Sequence, residues 1–543
     1  MSQNPKVLKL DPRDNVIVAL TPLIAHEPVI FAGKNYVPVS AVPAKFKFAE
    51  NDMPAGAAVI MYGVVVGRAR EPVPAGGVLT TRNLQHDASD YSVRAVGYEW
   101  HSPDVSQWAG RTFAGYRRAD GQVGTRNYWL VIPLVFCENR NIELLREAFE
   151  EELGYGKQNS YRQQVRELIH HRRGTVRENS VTDAATSRLF PNVDGIRFLL
   201  HQGGCGGTRE DARSLCGLLA GYIHHPNVAG ATVLSLGCQN AEVSILQEEI
   251  RRRDPRSSKP VLIFDQQAAG LESAMLTRAI EQTFAALEEA DTAERTSAGL
   301  SALTLALKCG GSDGFSGISA NPAIGRTSDL LVALGGKTIL SEFPELCGVE
   351  QNIIDRSVNQ TVANRFVELM TSYAVRAKAV HSGFDMNPSP GNIQDGLITD
   401  AMKSAGAARK SGTSPVMDVL DFPEYVTAAG LNLLCTPGND VECVTAQVGA
   451  GANMVLFTTG LGTPTGNPIA PVIKVATNTA MATRMADIID IDAGGIISGQ
   501  ATVEETGAAL LELVLDVASG RKYTKAEMRG QNDFIPWKRG ISL

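Results

Sequence analysis

Histidine, aromatic residues and long apolar runs are all scarce in this chain. Only nine of 543 residues are histidine, so any role for imidazole falls on few candidates. No run of about 18 apolar residues occurs, and no membrane-spanning helix is expected. The opening residues MSQNPKVLKLDPRDN hold no apolar stretch of signal-peptide length, so the chain reads as cytoplasmic. There is no basic excess: 51 Lys and Arg stand against 58 Asp and Glu, a net charge of −7. That argues against nucleic acid as a partner and leaves a small anionic substrate dependent on locally placed cations. The eight cysteines include no CxxC pair, which excludes a zinc-ribbon pattern. Without an export signal they are read as reduced thiols.

The composition that remains, 44% hydrophobic and 20% charged, is that of a soluble globular enzyme. Residues 1–88 alternate short apolar β-branched runs (VIVAL, PVIFAG, AAVIMYGVVVGRA) with Gly and Pro, which predicts a small β-rich domain. Residues 89–112 lack periodicity and read as a linker. Over 113–297, strand-like runs (YWLVIPLVF, IRFLLH, ATVLSL, PVLIF) alternate with amphipathic helical stretches, the pattern of a largely parallel sheet covered by helices. Residues 298–543 predict a second α/β region, with strands at 337–342 and 452–459 and helices at 321–335, 359–377 and 501–519. An α/β enzyme with an N-terminal β-domain follows, and a homodimer is expected.

Three glycine-rich turns each carry a cysteine after an apolar run: HQGGCGGTRED with His201 and Cys205, LGCQNAE with Cys238, and LKCGGSDGFSG with Cys309, Ser312 and Asp313. The first two are read as strand–turn–helix, where open α/β sheets bind ligands and free N–H groups attract anions. Each thiol is either a small buried residue among packing glycines or part of a shared site. The turn FTTGLGTPTGNPIAPVIKVATN lacks a P-loop ending; it is either a tight connection or a ligand loop with Thr458, Thr459 and Lys474. Glu342 closes an apolar strand and is a site candidate, whereas Glu345 and Glu350 read as solvated. His201 is the preferred histidine. His170, His171, His224 and His225 read as surface residues.

As an ordered series, DNVIVAL, MYGVVVGRA, GYRRADGQVGTRNYWLVIP, HQGGCGG, LGCQN, LKCGGSDGFSGISANPAIG, LSEFPE, NPSPGNIQDGLIT, FTTGLGTPTGNPIAPVIKVATN, DIIDIDAGGII and ASGRKYTKAE resemble the altronate/galactarate dehydratase family, which also holds sulfolactate sulfo-lyase. The resemblance implies an N-terminal β-clip (SAF-like) domain and a metal-dependent lyase, with Fe2+ or alternatively Mn2+. It also implies removal of water from a hexonate or hexarate to give a 2-keto-3-deoxy acid. The chain departs from the family where Gly-His-Lys and His-x-His-Asn are usual: Lys45-Phe46-Lys47 and Thr80-Thr81-Arg82-Asn83 stand there. A second departure is DAMKSAG, in which Lys403 and Ser404 match and Ala401 and Met402 do not. The missing histidines leave open a related lyase acting on a non-sugar hydroxy acid or expelling sulfite, and a silent sugar-acid-binding protein. Removing a proton beside a carboxylate needs charge stabilisation and a base. Lys403 or His201 is the candidate base, with Glu342 beside them. Arg126, Lys47, Arg82, Asn83, Ser312, Asp313, Thr458, Thr459 and Lys474 are candidate substrate contacts. Cys205, Cys238 and Cys309 are candidate metal ligands, with an iron–sulfur cluster as the alternative to a single ion.

Overall fold

Gly- and Pro-punctuated β-branched runs fold as short antiparallel strands in the N-terminal region of the computed structural model, which describes residues 5–93, 97–156, 160–173, 188–256 and 259–542. Val7–Leu8, Val16–Ala19 and Lys47–Ala49 form one sheet, and Ala58–Met61, Val64–Ala69 and Leu84–Gln85 another. Val7, Ile17, Leu23, Val29, Val42 and Phe48 form a core on the first sheet, and Phe46 packs against it. Residues 94–96 of the expected linker lie outside the described residues. The rest of that segment is anchored: the Trp108 indole donates to Glu512 at 2.8 Å and the Tyr98 hydroxyl to the Thr413 carbonyl at 2.5 Å.

The chain divides into two units, Met1–Gly115 with Thr296–Trp537, and a central unit of Tyr116–Arg295 with Lys538–Leu543. The central unit is built on four parallel strands, β1 (Tyr128–Pro133), β2 (Gly195–Phe198), β3 (Val228–Ser235) and β4 (Val261–Asp265), in the order β2-β1-β3-β4. All six residues of β1 are buried, as a strand flanked on both sides and covered on both faces requires.

In the larger unit, seven parallel strands follow: β5 (Thr304–Cys309), β6 (Lys337–Leu340), β7 (Val416–Leu420), β8 (Gly430–Leu434), β9 (Met454–Thr459), β10 (Val472–Ala476) and β11 (Ile491–Asp492). Their order is β7-β8-β6-β5-β9-β10-β11. The chain leaves β5 to one side for β6, β7 and β8 and returns to its other side for β9. Strand order therefore reverses at β5, and a crevice opens beyond its carboxyl end, the place where open α/β sheets bind ligands. Helices Ala320–Ala333, Gln360–Ala379 and Val503–Ala518 agree with the sequence reading within two residues at each end. Strands β5, β7, β8, β10 and β11 do not appear in that reading; β5 was hidden by its interior Lys308.

Candidate active site

Cys309 ends β5, and the turn after it opens onto a cleft of about 720 Å³. Gly310, Gly311 and Ser312 of that turn line the cleft with Glu345, Asn387, Asn392, Lys403 and Asp440. Four motifs far apart in sequence meet here. Asn392 caps a short helix with Ser389 and donates to the Ser312 carbonyl at 2.8 Å. The Lys403 ammonium donates to Asn387 Oδ1 at 2.5 Å and pairs with Glu345 Oε1 at 2.9 Å.

Beneath the cleft lies a buried ion network. Glu342 has no exposed surface and a left-handed backbone, with φ of 65°. That conformation costs a glutamate about 1–3 kcal/mol and persists only where the surroundings impose it. Here Thr436 Oγ1 accepts from its N–H at 3.0 Å, and its two carboxylate oxygens take the ammonium groups of Lys308 and Lys410. Lys308 also reaches Asp440 at 3.0 Å, and Lys410 donates to Cys309 Sγ at 2.8 Å. Burial opposes charge on Lys308 and Lys410, but Glu342 and Asp440 at Lys308, and Cys309 with Glu342 and Glu345 at Lys410, outweigh it and hold both pKa values above the usual lysine value. Burial likewise opposes charge on Glu345, yet Lys403, Lys410 and Lys308 pull its pKa down to about 2. Burial and the two glutamates push the Cys309 thiol up to about 12.

The N-terminal domain reaches the same loop. Lys45 Nζ pairs with Asp313 at 3.0 Å and Asp395 at 3.1 Å, and Lys47 Nζ donates to the Gly396 carbonyl at 2.7 Å. A Cβ on Gly396 would stand 2.5 Å from the Lys45 carbonyl oxygen, so this approach requires glycine. Burial lowers Lys47 to about 7.

Several expectations change. Glu345 and Glu350, read as solvated, are 3% and 7% exposed, because one neutralises lysines and the other accepts from Gly348 N–H at the start of a short helix. His224 and His225, read as surface residues, are 8% and 0% exposed; they end a helix whose last two turns are buried. Lys403, one candidate base, is held charged by Glu345 against the cost of burial. The other candidate, His201, lies in the central unit, where its ring is engaged by the Pro133 carbonyl and the Gly203 N–H; burial lowers it to about 4.

The remaining expected contacts serve the framework. Thr458 donates to Asn321, Thr459 accepts from Gly462 and Thr463, and Lys474 donates to Gln531. Asn83 organises its own turn through Thr80 and Val78, and Arg82 is exposed. Asp313 orders its loop through Ser316 and Lys45. Arg126 lies in the central unit, fully buried, donating to the Thr125 carbonyl. Lys308, Lys410, Asp440 and Asn387 were missed; of these only Lys308, a lysine inside an apolar run, left a signal.

The donor atoms of Cys309, Glu342 and Glu345 lie within 4.8 Å of one another, a spacing and chemistry that suit a divalent ion. Ammonium groups already stand against both Glu342 oxygens, Cys309 Sγ and Glu345 Oε1, and Glu345 Oε2 faces the Cys309 thiol. A dication would stand among three ammonium groups. As built, the network does not fit the ion that the family resemblance implies.

Residues 5–87 match the altronate/galactarate dehydratase SAF domain, 115–291 the second domain of D-galactarate dehydratase/altronate hydrolase, and 300–542 the D-galactarate/altronate dehydratase C-terminal domain. The chain is 32% identical to an altronate dehydratase of Bacillus subtilis (strain 168) over 99% of both chains. It is also 32% identical to an altronate dehydratase of Escherichia coli (strain K12), again over 99% of both. Identity to the galactarate dehydratase (L-threo-forming) of the same E. coli strain is 31%, over 91% of this chain and 89% of that one.

Proposed function

The chain belongs to the altronate/galactarate dehydratase family and is a sugar-acid hydro-lyase, and from that premise we propose that it converts a six-carbon aldonate or aldarate into a 2-keto-3-deoxy acid, with Lys403 and Glu345 moving the protons. The observation that carries this reading is the Lys403–Glu345 pair at the cleft wall, 2.9 Å apart and among amide and hydroxyl groups suited to a polyol. A volume of about 720 Å³ is within the usual range for small-molecule sites.

Lys403 enters the reaction charged. It first meets the substrate carboxylate, and in doing so releases Glu345 from its ion pair. A carboxylate that loses an ammonium partner becomes a stronger base. Glu345 then takes the proton from carbon 2, the carbon 3 hydroxyl leaves as water with a proton from Lys403, and the enol ketonises. Glu345 returns its proton to Lys403, so the enzyme is unchanged and the products are one keto acid and one water. Asn387, Asn392 and Ser312 orient the hydroxyl groups.

The test is to incubate the full chain with altronate, galactarate and their stereoisomers and to assay 2-keto-3-deoxy acid. Turnover of at least one is expected; none with any of them refutes the reading. The pH profile is a second check. Glu345 is lowered in the free protein and so keeps its base form as pH falls, losing it only towards about 2. Lys403 is raised and keeps its acid form until pH passes its ordinary value of 10.5. The expected kcat/KM profile is flat from about pH 5 to about pH 10. A narrow bell with limbs near neutrality would assign the proton transfers to other groups.

A further inference from the structure

Cys137, Cys205 and Cys238 are the chain's three exposed cysteines, and all stand at one edge of the central sheet. They follow β1, β2 and β3 by four, seven and three residues. These strands are neighbours, with β1 in the middle. The chain goes from β1 to β2 on one side and then to β3 on the other, so strand order reverses at β1. The three thiols therefore follow the carboxyl ends of the strands around a switch point, the position at which open α/β sheets bind ligands, in a unit to which the catalytic reading above assigns nothing.

Backbone contacts tie their turns together. Phe136 N–H donates to the Gly203 carbonyl at 3.0 Å, and Ala241 N–H to the Gly204 carbonyl at 3.0 Å. Gly204 has φ of 99°, and a Cβ there would stand 2.4 Å from the Leu134 carbonyl oxygen. Only glycine lets the Cys205 turn close on the loop after β1. His201 joins the same two loops, with Nε2 donating to Pro133 at 2.7 Å and Nδ1 accepting from Gly203 at 3.1 Å. Gln239 holds the Cys238 turn, accepting from Gly237 N–H and donating to Ser235, both at 2.7 Å. Next to Cys137, Glu138 is fully buried, and its Oε1 has no hydrogen-bond partner among the described residues. A helix begins within five residues of each thiol, at Asn139, Arg209 and Val243, and the positive end of a helix dipole favours bound anionic sulfur.

We propose that Cys137, Cys205 and Cys238 hold an iron–sulfur cluster, each thiolate on a different iron, with one iron left for an oxygen ligand. Soft thiolates select iron–sulfur and other thiophilic centres over hard cations. A single ion fits less well: thiolates sharing one tetrahedral ion with bonds of about 2.3 Å lie only about 3.8 Å apart. Among the described residues only Cys309, Glu342 and Glu345 bring three donor atoms within 4.8 Å. A cluster spans the wider spacing because its ligands bind separate irons. His201 and Gln239 are positioning residues for it.

This inference does not depend on the dehydratase reading, because its readout is iron and sulfide. The full chain, reconstituted anaerobically with ferrous iron and sulfide, is expected to bind about four irons and four acid-labile sulfides per chain, as a cubane cluster contains. Broad visible absorption should accompany them. Cys137→Ser, Cys205→Ser and Cys238→Ser are each expected to lose most of both, while the half-buried Cys347→Ser retains them. Circular dichroism on each variant separates loss of ligand from loss of fold, and exposed Cys-to-Ser changes should leave the fold intact. Iron bound without labile sulfide, or equal loading in the triple variant, would overturn the proposal.

Discussion

Glu342→Gln is expected to destabilise the protein by about 3–5 kcal/mol, the cost typical of breaking a buried ion pair from one side. The side chain is fully buried, and its two oxygens neutralise two lysines that are themselves 0% and 1% exposed. Glutamine keeps the shape and removes the charge, leaving Lys308 with Asp440 and Lys410 with the neutral Cys309 thiol. Lys410→Met should cost less, because Glu342 then still holds Lys308. Urea midpoints followed by circular dichroism measure both. The effect also has a pH signature. Lys308 and Lys410 have raised pKa values, so their stabilising contribution is complete below the ordinary value of 10.5 and is lost as pH rises through the higher folded values. Glu345 is lowered, so its contribution is complete above 4.5 and is lost as pH falls towards about 2. The wild-type advantage over Glu342→Gln should therefore shrink at strongly alkaline pH. A difference below about 1 kcal/mol at neutral pH, nearer the worth of an ordinary hydrogen bond, would mean that the network is not an ion network.

Lys403→Gln is expected to lower kcat by about 10²- to 10⁴-fold, the usual contribution of a positioned acid or base. Unlike Lys308 and Lys410, Lys403 lines the cleft and is 9% exposed, so it can meet substrate. Lys403→Arg is expected to fail nearly as badly, since guanidinium keeps its proton through the pH range of catalysis. Glu345→Gln should show a comparable kcat loss and a urea midpoint lower than that of Lys403→Gln, because buried Glu345 also faces Lys410 and Lys308. A Lys403→Gln variant with normal kcat and a raised KM would reduce Lys403 to a binding group and move acid catalysis elsewhere.

The order of glycine-rich turns was readable, because a turn that must approach another backbone admits few residues. CGGSDG, NPSPGN and MKS could each be named as motifs, and each reaches the cleft. Their roles were less readable. Thr458 and Thr459 end β9 and Lys474 lies in β10, on either side of a conspicuous loop whose contacts with the cleft come from Leu461 and Thr465. Lys410 lies in AARKSGT, which looks like an ordinary polar helix end; nothing in that local pattern says that its ammonium is buried against Cys309. Cys137 follows an apolar run without the glycines that marked the other turns, so it drew no notice.

Periodicity and composition determined the alternation of strands and helices, the small β-rich N-terminus and the absence of a long apolar span, because these depend on local patterns of burial. The family followed from the order of motifs along the chain. Which charges neutralise one another did not. The sheet order β7-β8-β6-β5-β9-β10-β11 brings residues 308, 342, 410 and 440 to one point, and that order is a property of long-range pairing. Whether a lysine is a base, an acid or a buried counter-ion depends on its solvation and nearest charges. Those are set by packing between segments that are often far apart in sequence, such as Lys308 with Asp440 and Lys47 with Gly396, so only the tertiary structure decided them.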